Sequence, residues 1–333
     1  MKPCLFRPDA LRAAELDRRA RQGLADSLAS VFAAAQGYLS ASCAAQTRLL
    51  TAVRSHPIAP GAFAIYAELV EALYAQERVT AQRLLDMLLR PALAEPSAAC
   101  VVTLDEASLG EGIPALYARA VDDDPGVRIR IAAVGAAELA RGRALCHAAA
   151  DLLHAAAPDL EGEIERVAHQ LVLVRDASLE GGSGAFDGAA TFYLWGAVVL
   201  NITRQTTRTQ LATALAHEAG HAYLLGATLG APLVDNDPSE RFRSPLRADP
   251  RPMDGLVHAS FVLARMLWCQ DRMLQCGLLD AAEEGEVRAA RAINHRLFVD
   301  SAGIIASQAC FSAEGGKLWQ AAREWVANGC PPN

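Results

Sequence analysis

The stretch His217-Glu218-Ala-Gly-His221 holds residue types that chelate metal ions, at a spacing that a helix converts into geometry. An α-helix turns about 100° per residue, so histidines four positions apart share a face and their imidazole nitrogens can converge on one cation. Glu218 projects to the side of that face, within reach of a water or ligand beside the ion. An ordinary buried helix whose histidines bond backbone carbonyls could carry the same five residues. The flanking sequence favours the metal reading. Thr207 and Gln210 have the T-x-x-Q spacing of a capping box, and Leu211, Leu215, Ala219 and Leu225 form an apolar stripe that buries the helix.

Two histidines do not complete a metal site, so a third ligand must come from elsewhere. A metzincin pattern would need glycine at 224 and histidine at 227; Leu224 and Ala227 exclude it. A thermolysin-like peptidase uses a glutamate about twenty residues on. Glu240 stands at that distance, but inside the proline-broken loop Asp237-Pro-Ser-Glu240. His258 is the stronger candidate, because it lies in the apolar run Leu256-Val-His258-Ala-Ser-Phe-Val-Leu, where a buried imidazole needs a partner and a metal bond would supply one. Asp254, one turn earlier, is the carboxylate alternative. Iron and zinc both remain open on these residues.

The elements that must position these side chains follow from periodicity. Apolar spacing predicts two helices over residues 8–53 broken near Gly37, a turn at Ser55-His56-Pro57-Ile-Ala-Pro60-Gly61, and helix over 62–93 split near Val79-Thr80. β-branched runs predict strands at 100–105, 127–134 and 170–175, and one strand bent at Gly196, or two short ones, over 191–203. That last strand reads equally as a core strand or as an edge to which an extended peptide could pair. Helices are expected at 135–156, 161–169, 207–225, 253–268, 280–300 and 312–327. The fold class is therefore α+β and mainly helical, with a small mixed sheet preceding a zincin-like HExxH helix. A helical N-terminal region spans 1–98. A metal-binding region spans 99–333, made of sheet 99–205, HExxH helix 207–225, loop 226–252 and C-terminal helices 253–328; the two can also form one compact domain.

Other signals carry less. The turn at Asp122-Asp-Asp-Pro-Gly126 lacks the spacing of a calcium loop, and Glu180-Gly-Gly-Ser-Gly-Ala-Phe-Asp-Gly188 is too irregular for a phosphate- or dinucleotide-binding fingerprint. His56, His147, His154 and His295 read as loop, packing or surface histidines. Cys4, Cys43, Cys100, Cys146, Cys269, Cys276, Cys310 and Cys330 are scattered without a C-x-x-C pair, which predicts mostly buried thiols. A net charge of −7 disfavours nucleic acid as a partner. No apolar run suggests a signal peptide or membrane span, so a cytoplasmic location is expected.

His217-Glu-Ala-Gly-His221 followed by Ser244-Pro-Leu-Arg247-Ala-Asp249-Pro-Arg251-Pro252-Met-Asp-Gly255-Leu-Val-His258 resembles the HEXXH-motif peptide-modification proteins of ribosomally synthesised, post-translationally modified peptide pathways. The resemblance is specific over residues 195–265 and architectural elsewhere. It implies an oxidoreductase of natural-product biosynthesis, a non-haem iron(II), 2-oxoglutarate-dependent dioxygenase that hydroxylates a side-chain β-carbon of a precursor peptide. It does not imply proteolysis. Such an enzyme needs three facial protein ligands and leaves three positions for bidentate 2-oxoglutarate and dioxygen. The distal carboxylate of the cosubstrate calls for a guanidinium, for which Arg247 and Arg251 lie between the motif and His258. The implied set is His217, His221 and His258 on the metal, Glu218 beside it, and Arg247 or Arg251 on the cosubstrate. Three histidines depart from the usual two histidines and one carboxylate, unless Glu218, Asp254 or Glu240 binds. The competing expectations are a zinc-dependent hydrolase with Glu218 as base, and a non-enzymatic peptide-binding scaffold.

Overall fold

The computed structural model describes residues 5–95, 99–122, 129–177, 187–247 and 249–328. Helices α1 (Ala10–Ala34), α2 (Cys43–Ser55), α3 (Gly61–Tyr74) and α4 (Arg78–Leu88) come first. They are followed by β1 (Cys100–Thr103), α5 (Glu106–Leu109), α6 (Ile113–Val121), β2 (Ile131–Ala133), α7 (Ala136–Ala156), α8 (Pro158–Val167), β3 (Ala168–Asp176), β4 (Gly188–Ala189) and β5 (Gly196–Asn201). Four long helices end the sequence: α9 (Arg208–Thr228), α10 (Met253–Gln275), α11 (Ala281–Gln308) and α12 (Ala313–Asn328). The protein is thus mainly helical with a small mixed sheet. Among the described residues no helix is long and apolar enough to cross a membrane. The expected turn at 122–126 and the glycine-rich stretch at 180–188 fall almost wholly outside the described residues, as do Cys4 and Cys330.

Contacts group the protein into two interleaved units, one drawn from residues 11–143 and 165–204, the other from 1–10, 144–164 and 205–333. The first contains the sheet. Its order is β1-β3-β5-β4, with β3 parallel to both β1 and β5, while β2 pairs antiparallel with β3 beyond the end of β1. Nearly unbroken apolar runs make β3 and β5 buried central strands. The stretch 191–203 divides at Gly196: Phe192–Leu194 is a 3-10 turn capped by the Thr191 side chain, and the strand begins at Gly196 with φ 93°. A Cβ at Gly196 would lie 2.9 Å from the His169 ring, so the bend and the close approach both need glycine. Strand β5 is buried at every position and flanked by β3 and β4, which makes it a core strand.

Two local expectations shift. The break between α3 and α4 falls at 75–77, before Val79, because Gln76 takes a left-handed conformation with φ 58°. Of the described cysteines only Cys146 and Cys269 are buried, with burial pushing their thiols up to about 11 and about 12. Cys43 and Cys310 are exposed, since one opens a surface helix and the other sits in the turn between α11 and α12.

The second unit is built on α9 and α10. Successive contacts run in opposite directions along the two helices: His217 meets Met266, Gly220 meets Val262, and Tyr223 stacks on Phe261 with ring centroids 5.8 Å apart, so the helices are antiparallel. Gly220, inside the histidine motif, lets the backbones close up; a Cβ there would stand 3.1 Å from Val262 Cγ1 and 3.4 Å from Arg265 Cγ. Thr207 caps α9 by accepting from the Gln210 amide. The other half of the predicted capping box goes elsewhere, because Gln210 Oε1 accepts from the Thr206 amide at 2.9 Å. The helix ends at Thr228, three residues beyond the expected end, and is capped by Leu229 in a left-handed conformation.

Beneath this contact lies an ion pair that apolar periodicity does not reveal. Arg265 of α10 donates to both carboxylate oxygens of Glu163 in α8, at 2.8 and 3.3 Å, and both side chains are fully buried. Glu163 also accepts from the Asp9 amide at 3.1 Å, and Tyr223 donates to the Leu5 carbonyl at 2.6 Å. These bonds hold the N-terminal segment so that Phe6, fully buried, stacks on Trp325 and packs edge-on against Phe261. The guanidinium is walled by aromatic rings, with its Cζ 4.7 Å from the Tyr223 centroid and 5.5 Å from that of Phe261.

The connection between α9 and α10 is pinned although it is irregular. Phe242 and Arg251 exchange two backbone hydrogen bonds of 2.8 Å, and the Leu233 amide donates to Asp254 Oδ1 at 2.7 Å. The Leu233 carbonyl accepts from Ser312, and a Cβ on Gly315 would fall 1.9 Å from that oxygen, so α12 can start there only with glycine. Breaking one side of a buried ion pair leaves the other charge stranded. Glu163→Gln is therefore expected to lower the unfolding free energy by about 3–5 kcal/mol, read from urea denaturation. Glu163→Leu combined with Arg265→Met is expected to recover most of that loss; equal stability of Glu163→Gln and the parent would show that the pair contributes little.

Candidate functional site

Helix α9 presents His217 and His221 on one face, as four-residue spacing requires. Their Nε2 atoms are 3.2 Å apart and the ring centroids 4.8 Å. Two imidazoles on one first-row cation, with bonds of roughly 2.1 Å at 90–109°, have nitrogens about 3.0–3.4 Å apart. The pair stands at the separation that chelation demands. Two neutral rings could share a hydrogen bond at this distance, one nitrogen donating and the other accepting.

Helix α10 brings His258 alongside. Its ring is stacked on that of His221, with centroids 5.9 Å apart and planes 19° from parallel. Its Nε2, however, lies 3.6 Å from Asp254 Oδ2 on the preceding turn. Asp254 is fixed in turn by the Leu233 amide. Among the described residues no three His, Cys, Asp or Glu side chains are arranged as a metal-binding group. His217 and His221 converge, while His258 adjoins them with its nitrogen toward Asp254.

Glu218 is buried beside the pair, its side chain 4% exposed, with Oε1 3.9 Å from His217 Nε2. The remaining sequence candidates lie along the loop. Glu240 and Arg247 are exposed. Arg251 is largely buried, its guanidinium 3.0 Å from Asp249 and its backbone paired with Phe242. The structure thus gathers His217, Glu218, His221, His258 and Asp254, and leaves Glu240 and Arg247 on the surface.

His147, His154 and His295 are exposed, and His154 contacts Glu161 at 2.8 Å. His56 Nδ1 donates to the Pro57 carbonyl at 3.1 Å, and His169 is buried in β3 near Asp17.

Two contributors escape sequence reasoning. Met266 places its thioether 3.3 Å from His217 Nδ1. Nothing in its spacing marks it, since a methionine on an apolar helix reads as core filling. Arg265 did carry a signal: a guanidinium within Phe261-Val-Leu-Ala-Arg265-Met-Leu-Trp268 must find a buried acid.

The electrostatics suit cation binding. Burial, then repulsion from His217 and His258, pushes the pKa of His221 well below its ordinary value. Burial also lowers His258, opposed by the nearby Asp254 carboxylate. Rings held neutral keep a lone pair to offer, so at neutral pH a metal ion displaces no proton from them. For a base, a lowered pKa means that the folded protein binds fewer protons than the unfolded state below the ordinary value of 6.5. Stability present above that pH is lost as pH falls through it, by up to about 1.4 kcal/mol per pH unit for each ring. The urea midpoint of metal-free protein held in chelator is expected to drop between about pH 7.5 and 5.5, and His221→Gln to show a smaller drop. An identical drop in the variant would remove His221 as a source.

Compared with protein-family models and with curated proteins, the sequence matches none.

Proposed function

We propose that His217 and His221 hold a divalent metal ion with His258 as the third protein ligand, and that the protein is an iron(II), 2-oxoglutarate-dependent oxygenase hydroxylating a peptide side chain. The observation that carries the metal reading is the 3.2 Å separation of the two Nε2 atoms, with a third imidazole stacked beside them. The choice of iron and 2-oxoglutarate rests on the resemblance of residues 195–265, and the zincin-like setting of the helix belongs to the same proposal. In the reaction one oxygen atom of dioxygen enters a C–H bond of the peptide and the other enters succinate, with carbon dioxide released from 2-oxoglutarate. Bound iron would supply the redox chemistry. The protein's own part is to hold the imidazoles in place and to keep those of His221 and His258 neutral by burial. Arg251 is the better of the two arginine candidates for the cosubstrate carboxylate, being largely buried where Arg247 is exposed. It would have to exchange Asp249 for that carboxylate.

A second reading is favoured by one observation: Glu218 is nearly fully buried, with a carboxylate oxygen 3.9 Å from His217 Nε2. That position suits a base that takes a proton from an attacking water in a zinc hydrolase.

Ferrous iron added anaerobically is expected to bind in a 1:1 ratio, and subsequent 2-oxoglutarate to raise a visible charge-transfer band. His217→Ala and His221→Ala should each abolish it. Absence of the band together with zinc-dependent peptide cleavage would establish the hydrolase. Failure to bind either metal would leave a non-enzymatic scaffold.

Glu218→Gln separates the two enzymatic readings. It is expected to retain the iron and the charge-transfer band, whereas a hydrolase would lose about 10²–10⁴-fold in turnover.

A further inference from the structure

Helix α10 meets both histidines of α9. His258 lies against His221, and eight residues further on Met266 lies against His217, with Sδ 3.3 Å from Nδ1. A neutral imidazole has one protonated nitrogen and one with a lone pair. If Nε2 of His217 offers its lone pair to an ion shared with His221 Nε2, the ring proton must sit on Nδ1, which faces the thioether. A thioether sulfur accepts and cannot donate, so a hydrogen bond between it and Nδ1 requires the Nδ1–H tautomer.

We infer that Met266 is a positioning residue that selects the Nδ1–H tautomer of His217 and turns its Nε2 toward His221. This rests on the reading that the two histidines chelate a metal. Metal-bound histidines usually give the second N–H to a carboxylate, carbonyl or water, partners that both orient the ring and raise its basicity. Sulfur is a weaker acceptor. Met266 therefore orients His217 without adding much electron density, and a stronger acceptor in its place should tighten metal binding.

Packing and positioning make different predictions. Leucine nearly matches methionine in volume, so a purely space-filling Met266 would tolerate Met266→Leu without change. Cobalt(II) titration of the full-length protein, followed by visible absorption, is expected to show about tenfold weaker binding for Met266→Leu at an unchanged thermal midpoint. Met266→Gln, whose amide oxygen can accept from Nδ1–H, is expected to bind cobalt(II) at least as tightly as the parent. The tautomer is read separately, from long-range nitrogen–proton correlations of the imidazoles in metal-free protein. The parent should hold His217 as Nδ1–H, and Met266→Leu should populate Nε2–H.

Equal cobalt affinity and equal tautomer populations in the parent and Met266→Leu would overturn the inference. A parent that binds no cobalt would sink the chelation reading alone, because the tautomer comparison in metal-free protein still decides the role of Met266. Should Met266→Leu fail to fold, Met266→Gln supplies both readouts: weaker cobalt binding than the parent, or a His217 held as Nε2–H, would count against positioning by an acceptor at this site.

Discussion

The close antiparallel contact of α9 and α10 is the constraint on which the rest of this unit depends. Each helix brings chemistry that the other must face: two imidazoles from α9, an imidazole and a thioether from α10. Gly220 permits the approach, because any side chain there presses on Val262 and Arg265. The Arg265–Glu163 pair then ties α10 to α8, and through Asp9 and Leu5 the N-terminal segment is drawn over the same aromatic cluster. An ion pair buried this completely is no economical way to gain stability over well-packed hydrocarbon. Its geometry is directional, however, and a two-point bond with surrounding rings permits fewer arrangements of α10 than a greasy contact would.

Under the proposed function this rigidity has a purpose. A metal site tolerates little error in ligand position, and side chains on helices whose packing is over-determined are better placed than side chains on loops. The candidate ligands His217, His221 and His258 are all helical, and Asp254 on the first turn of α10 is tied to the Leu233 amide. The arginines assigned to the cosubstrate lie on the irregular connection, where Arg251 is already held by Asp249 and by its strand-like pairing with Phe242. Metal capture and cosubstrate capture would then draw on parts of the molecule with different freedom to move.

The His258–Asp254 proximity shows how two candidate ligands can restrain one another. The carboxylate favours a charged imidazole while burial opposes it, and burial prevails. A neutral ring beside a carboxylate can donate from one nitrogen and keeps the in-plane lone pair of the other to offer a cation. Sequence spacing ranked His258 and Asp254 as alternatives for the same position; in the folded protein they are neighbours, 3.6 Å apart.

Much of the architecture was legible from the residues. Helix periodicity, the Thr207 cap, the turn before Gly61 and the β-branched runs are local preferences, expressed whatever the remainder of the protein does, and they placed most helices and strands within a few residues, although α10 and α11 run on to Gln275 and Gln308, well past their expected ends at 268 and 300. The i, i+4 pairing of His217 and His221 is equally local, since one helical turn suffices to bring the rings together. What only tertiary structure decided depends on groups distant in the sequence: Glu163 beneath Arg265, Met266 against His217, and Glu240 left in solvent while His258 came alongside. Apolar pattern specifies that a helix face is buried but not against what, because hydrophobic attraction has no direction. Directional partners are chosen when particular faces meet, and that meeting is a property of the whole fold.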